Sequence, residues 1–558
     1  MLSYFAKHND IGNKFMKEKL KKAIPPVMPR LLMALVASVA TLGLCAADAG
    51  QSKLLVGIVV DGLDADYLDL LRSHFGNSGF RLLEREGAVI LNADYGGHLD
   101  AAASTALIVT GSAPSYNGIA AEKYYSREHL REMEAFVDAN YLGNYTNKNY
   151  SPTALRVSTV SDEVRIAAGG TNVVYSVAPR AAQAISLGGH SANAAFWIDD
   201  KTGNWGSSTY YKDMPVFITT RNRSASLSLR LDAMSWTPSL SMEDYPGLPK
   251  HLTYYPFRYV FPRGSNDRYD MFMSSPLVNT EVTEVAEGLI TTLHLGQHET
   301  VTDVLNLAYT LQPYVYGKVA DNRAELMDAY IKLDQNLEHL FSVIDERVGL
   351  DNTVVVVSAT APRRQSRRDE EQWGVPYGEF STRKAISLLN VYLTAVYGNG
   401  DYVTAWHRGH IYLNRNLLKE KSIDEREIRE SAASFLLKMT GVDQVSTIDE
   451  IIESRAGDSG EALRRNMVLS QAGDLLLTVV PGFEIVDDFN STSGSTQNSM
   501  VERTATTTAP VYIMAPNVAS QTVTSIVDAR AIAPTVCRIL RIRSPNAAAG
   551  APLSLKKK

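Results

Sequence analysis

The sequence predicts an α/β fold: a mainly parallel central sheet with helices on both faces and inserted cap segments. Three observations carry this expectation. Strand-length runs are apolar throughout rather than alternating, as in LLVGIVVDG from Leu54, TVVVVSAT from Thr353 and PVYIMAP from Pro510, the pattern of strands buried on both faces. The segments around them carry helical spacing. Two of the runs close on a polar side chain, Asp61 and Thr360, at the strand ends where open α/β sheets hold their ligands.

Taken in order, DADYLDLLRSHF after Asp61 predicts a first helix. The stretch AELMDAYIKLDQNLEHLFSVIDERVG has apolar positions recurring at three and four and predicts a long amphipathic helix leading into the strand of Val354. After the strand of Val511, IVDARAIAPTVCRIL predicts a closing helix. The strands of Leu54, Val354 and Val511 are expected to run parallel in one sheet, within one unit from about Asp48 to Leu553. Aromatic and Gly-rich AAFWIDDKTGNWGSSTYY, from Ala194 to Tyr211, is expected to be an insertion over the strand ends. It forms part of cap segments at approximately 125–260 and 363–500.

A chain of 558 residues with 45% hydrophobic and 21% charged residues is ordinary globular material. Its net charge of -6, with no long run of either sign, leaves no electrostatic footprint for nucleic acid, so no such partner is expected. Residues 1–47 differ from the rest. Lys7, Lys14, Lys17, Lys19, Lys21, Lys22 and Arg30 precede the apolar run LLMALVASVATLGLC and the small residues Ala46 and Ala47, which predicts a signal peptide and an exported, periplasmic or cell-envelope chain. Met16 opens a normal basic region for such a signal. Leu44 before Cys45 argues against lipidation. After cleavage Cys537 is the sole cysteine, so no intramolecular disulfide is expected.

Four segments resemble the alkaline phosphatase superfamily, in the branch of periplasmic phosphate-irrepressible alkaline phosphatases and type I phosphodiesterase/nucleotide pyrophosphatase relatives. They are the strand ending in Asp61, AAASTALIVTGSAPSYNGIAAEKYY from Ala101, YSVAPRAAQAISLGGHSANAAFWIDDKTGNWGSSTYY from Tyr175, and IAPTVCRILRIRSPNAAAGAPL from Ile532. The similarity runs, with gaps, from about Leu54 to Leu553. It implies a phosphoric-ester hydrolase in which two zinc ions stabilise the attacking and leaving oxygens and a Thr or Ser at a helix start attacks phosphorus.

Position by position, the resemblance implies that most of that machinery is missing. Asp61 matches the first zinc carboxylate. Ala101 stands at the nucleophile position, Glu122 at an asparagine that would bond a phosphoryl oxygen, and Ala178 and Arg180 at the lysine and arginine of a phosphate clamp. In LQPYVYGK, Gln312 or Pro313 replaces a ligand carboxylate and Lys318 an imidazole. Thr360 and Ala361 replace an Asp and a His, and Ser499 the last histidine. No bound metal and no catalytic residue are therefore expected, zinc being the cofactor of active members, and Asp61, Glu122, Arg180, Thr360 and Ser499 are expected to converge as a vestigial site.

Plainer roles are available for the survivors. Asp61 is a candidate cap for the DADYLDLL helix, and Arg180 a candidate partner for Glu122. Ser104 and Thr105, one turn beyond Ala101, are the weak alternative nucleophiles. His294 with His298, and His407 with His410, show no Asp or Glu at ligand spacing. Three functions remain open: an exported, inactive member with a binding or assembly role; an active metal-dependent phosphatase or phosphodiesterase with a rearranged site; and a binding protein for a phosphate ester or nucleotide. The last would use Arg180 with Trp197, Trp205, Tyr210 and Tyr211. The partner, a phosphorylated small molecule or a protein, is left open.

Overall fold

The computed structural model describes residues 52–212, 214–317, 321–360, 378–480, 482–489, 499–501 and 508–558, the last-but-one segment by its backbone alone. The expected signal peptide, Lys318 and Ala361 lie outside the described residues.

Strand β1 (Leu54–Asp61) is buried along nearly its whole length. It leads into α1 (Ala65–Leu71), whose cap is Asp64 rather than the expected Asp61: the Asp64 carboxylate accepts from Asp66 N at 2.8 Å. Strand β2 (Ala88–Asp94) is followed by α2 (Ala101–Thr110), capped by Asp100, which accepts from Ala103 N at 2.9 Å. Gly111 ends α2 with φ of 64°, a left-handed cap that a glycine adopts without strain. Residues 102–110 are all buried, so AAASTALIVT is apolar on every side because this helix lies inside the core.

The central sheet continues with β3 (Val174–Ala178), followed by α3 (Ala181–Gly188), then β4 (Ala194–Ile198), β5 (Trp205–Ser208) and β6 (Asp303–Thr310). Helix α4 (Arg323–Arg347) is the long amphipathic helix the sequence predicts, and it precedes β7 (Thr353–Ala359). A hairpin of β8 (Val403–His407) and β9 (His410–Leu413), the short helix α5 (Ser459–Arg465) and β10 (Thr508–Met514) complete the elements used below.

The eleven-stranded sheet has the order β2-β10-β7-β1-β6-β3-β4-β5, extended by short strands at both edges. Strand β1 is parallel to β6 and β7, as β6 is to β3 and β3 to β4. Their C-terminal ends therefore share one edge, where Asp61, Arg180, Gln312 and Thr360 lie. Gly57 sits mid-strand opposite Asn306, and a Cβ there would fall 2.3 Å from Asn306 Oδ1. That side chain instead donates to Ser161 Oγ and Leu187 O, both at 2.8 Å, tying β6 to the neighbouring helices.

Two expectations are corrected. The strand of Val511, β10, belongs to the sheet but runs antiparallel to both β7 and β2, because a short apolar run carries no mark of direction. The segment from Ala194 to Tyr211 is not a cap: it supplies β4 and β5, and β3 also lies inside the span 125–260. A separate core is found later in the chain, where Phe380, Ile386, Trp406 and Leu477 pack together around a four-stranded antiparallel sheet containing β8 and β9.

Candidate functional site

On the strand-end side of the cleft, Asp61 closes β1 between the ends of β6 and β7. Thr360, 1% exposed, donates its hydroxyl to Asp61 Oδ1 at 2.7 Å and accepts from Gly62 N at 3.2 Å. Gln312, two residues past β6, donates its amide to Asp61 Oδ2. Of the two residues open in the sequence reading, Gln312 rather than Pro313 is thus the one on Asp61. Both carboxylate oxygens are taken by neutral donors.

The helix-start side is built on charge. Ala101 is the first residue of α2 and offers only a methyl group there. Asp100 beside it accepts through Oδ1 from Ala103 N and through Oδ2 from Glu122 N at 2.8 Å and Arg408 Nη1 at 2.8 Å. Burial pushes the Glu122 carboxyl above the ordinary range; Arg180 opposes this, while Asp100 and Glu134 add to it. Arg180, at the N-cap of α3, is exposed and influences both Glu122 and Tyr316. It makes no ion pair with Glu122 among the described residues, contrary to the expected pairing.

Arg408 is the residue that the sequence reading missed. It occupies the tip of the β8–β9 hairpin with φ of 51°, followed by Gly409 at 84°, the paired positive values of a tight two-residue turn. A non-glycine residue held there is strained, and the turn aims its guanidinium from the second core onto Asp100. The flanking imidazoles are not ligands. Burial holds His407 below its ordinary pKa, so its approach to Glu132 at 3.5 Å is not an ion pair at neutral pH, and its Nε2 lies 3.1 Å from Lys123 O. His410 is lowered to about 4 by burial.

Other candidates are located as follows. Ser104 and Thr105 are fully buried in α2, and the Thr105 hydroxyl donates to Ala101 O at 2.6 Å. His294 caps the helix Leu277–Leu293 in a left-handed conformation, and His298 does have an acidic neighbour, Asp303, at 2.7 Å. Trp197, Trp205 and Tyr211 are buried in the main core, with Trp205 Nε1 donating to Glu281 at 2.8 Å, and Tyr210 donates to His190 O. They are packing residues rather than walls of a cleft. Ser499 begins a strand paired to Val486, and its side chain is outside the described residues.

Zinc takes carboxylate, imidazole or thiolate donors. At Asp61 the neighbours are a hydroxyl and an amide already donating to the carboxylate, and among the described residues no three His, Cys, Asp or Glu side chains converge. The described residues therefore do not fit a zinc site.

The model for type I phosphodiesterase/nucleotide pyrophosphatase matches residues 55–504. The chain is 26% identical to alkaline phosphatase PafA of Elizabethkingia meningoseptica, over 90% of this chain and 94% of that protein. It is 28% identical to alkaline phosphatase PhoV of Synechococcus elongatus, over 70% and 73%, and 27% identical to a protein of Myroides odoratus named calcium-transporting ATPase, over 90% and 94%. The crystal structure of wild-type PafA superposes with a TM-score of 0.79 at 25% identity, covering 90% of this chain and 98% of that one. The mixed sheet with its strand-end cleft and these matches agree, and the chain belongs to the type I phosphodiesterase/nucleotide pyrophosphatase family of the alkaline phosphatase superfamily.

Proposed function

We propose that this chain is an exported, catalytically silent member of its family, with a binding or assembly role in place of phosphoric-ester hydrolysis. One observation carries the reading: the carboxylate of Asp61 is saturated by Thr360 and Gln312, residues that cannot take over as zinc donors. In a family member of the kind the resemblance implies, zinc would stabilise the charged oxygens of the transferring phosphoryl group. Here a metal at Asp61 would have to displace two hydrogen bonds and would gain a single anionic ligand from the described residues.

The helix-start side supports the same reading. A methyl group at Ala101 cannot attack phosphorus, and the Thr105 hydroxyl one turn later is buried and bonded within its own helix. Glu122 places an acidic group where a phosphate would lie. The loss of one electrostatic element of such a site typically costs on the order of a hundredfold in rate, and several are changed together.

The names of two relatives, both alkaline phosphatases, favour the opposite reading of an active hydrolase with a rearranged site. Assays of the purified mature chain with excess zinc, on phosphate monoesters and diesters, separate the two. The silent reading expects no turnover above buffer, and none restored by Ala101→Thr alone. Turnover that survives repurification would establish the hydrolase instead. Among the described residues no helix is long and apolar enough to cross a membrane.

A further inference from the structure

A cavity of about 270 Å³ lies away from Asp61, where the end of β2 meets α5 of the second core and the segment after β10. Its walls carry complementary groups that the fold leaves incompletely used. The Asn466 amide nitrogen donates to Gly96 O at 2.7 Å. That contact requires the N–H side of the carboxamide, so its Oδ1 faces the other way, and this oxygen is buried with no hydrogen-bond partner. A buried carbonyl oxygen without a donor costs about 1–3 kcal/mol, and an incoming N–H would relieve it.

Arg465 lies beside it. Its nearest carboxylate is Glu461, one turn back on α5 at 3.8 Å, and it makes no hydrogen bond among the described residues. Arg530 is in a different state: its Nε donates to both oxygens of Asp528 at 2.9 and 3.0 Å. The guanidinium available to a ligand is therefore that of Arg465, whose planar fork matches a carboxylate. Asp94 and Asp528 also line the cavity, so a phosphate dianion would meet two carboxylates, whereas an ammonium group would be attracted. Leu107 and Ala113, each 1% exposed, give an apolar wall, and Ile526, 72% exposed, stands among the lining residues.

We propose that this cavity binds a free α-amino acid with an aliphatic side chain, its carboxylate on Arg465 and its ammonium group shared by Asn466 Oδ1 and the two aspartates. A zwitterion is the one small charge pattern that satisfies two guanidiniums, two carboxylates and an orphan acceptor at once. The apolar wall takes the side chain. The site is independent of whether the Asp61 cleft is silent.

Isothermal titration of the full mature chain with L-leucine tests the proposal, alongside 4-methylpentanoate, which lacks the ammonium group, and isopentylamine, which lacks the carboxylate. Saturable binding of leucine is expected, with both half-ligands at least about tenfold weaker, the effect of losing about 1.4 kcal/mol. Arg465→Gln, on a partly exposed helix end, should weaken leucine by a similar factor while leaving the melting temperature unchanged. No saturable heat up to about 10 mM leucine, a range that covers millimolar affinities, overturns the proposal. Equal affinity in Arg465→Gln, or a half-ligand that binds as tightly as leucine, overturns it as well.

Discussion

The two sides of the cleft hold their carboxylates by different physics. On the strand-end side, Asp61 is bonded to neutral donors that come from neighbouring strands of the same sheet. On the helix-start side, Asp100 joins backbone amides of α2 and of Glu122 to a guanidinium delivered by a separate core, while Glu122 and Arg180 interact without closing into a pair. The first arrangement is local, uncharged and insensitive to salt. The second depends on how the second core docks, and it is screened by ions because its groups are partly exposed.

Substitutions can break or sharpen this contrast. The largest effect is expected from Asp100→Ala, which removes a helix cap, the acceptor for Glu122 N and the partner of Arg408 together. A loss of about 2–3 kcal/mol in denaturant titration follows from a cap and two further hydrogen bonds. A loss near zero would mean that Asp100 does not organise that side. Thr360→Val comes next, because it strips Asp61 of a donor and Gly62 N of an acceptor in a buried place. About 1–2 kcal/mol is expected, and the same value at low and high salt.

Arg408→Ala should cost less, about 0.5–1 kcal/mol for a half-exposed ion pair, and the cost should shrink as sodium chloride is raised. A salt-independent loss would put packing rather than charge at the hairpin tip. The smallest effect has the opposite sign. Glu122 has its folded pKa raised by burial, so the folded state holds its proton more tightly than the unfolded chain does. Stability is therefore lost as pH rises above the unfolded value of about 4.3. Glu122→Gln should stabilise the protein by up to about 1 kcal/mol at neutral pH, with the gain absent below about pH 4. Equal gains at both pH values would assign the effect to shape rather than ionisation.

The comparison also marks what was legible in the sequence. Continuous apolar runs announced β1 and β7, and helical spacing announced α4, since burial imposes those patterns directly. Direction is not encoded in a run such as PVYIMAP, so β10 was expected parallel and is antiparallel. Aromatic and Gly-rich composition suggested a cap where β4 and β5 complete the sheet, because a buried edge strand and a surface insertion both use Trp and Gly. Strand-end positions could be aligned to a family, which brought Asp61, Gln312 and Thr360 into view. Arg408 could not, because its role depends on a hairpin from another core reaching across to Asp100. The paired turn at Arg408 and Gly409 was the only local signal.

The central claim is that Asp61 is satisfied by protein donors and does not hold a metal. The direct measurement is the zinc content of the mature chain after incubation with excess zinc and exhaustive dialysis, with Asp61→Asn in parallel. The account predicts well under one equivalent in both. One or two retained equivalents, lost in Asp61→Asn, would contradict it.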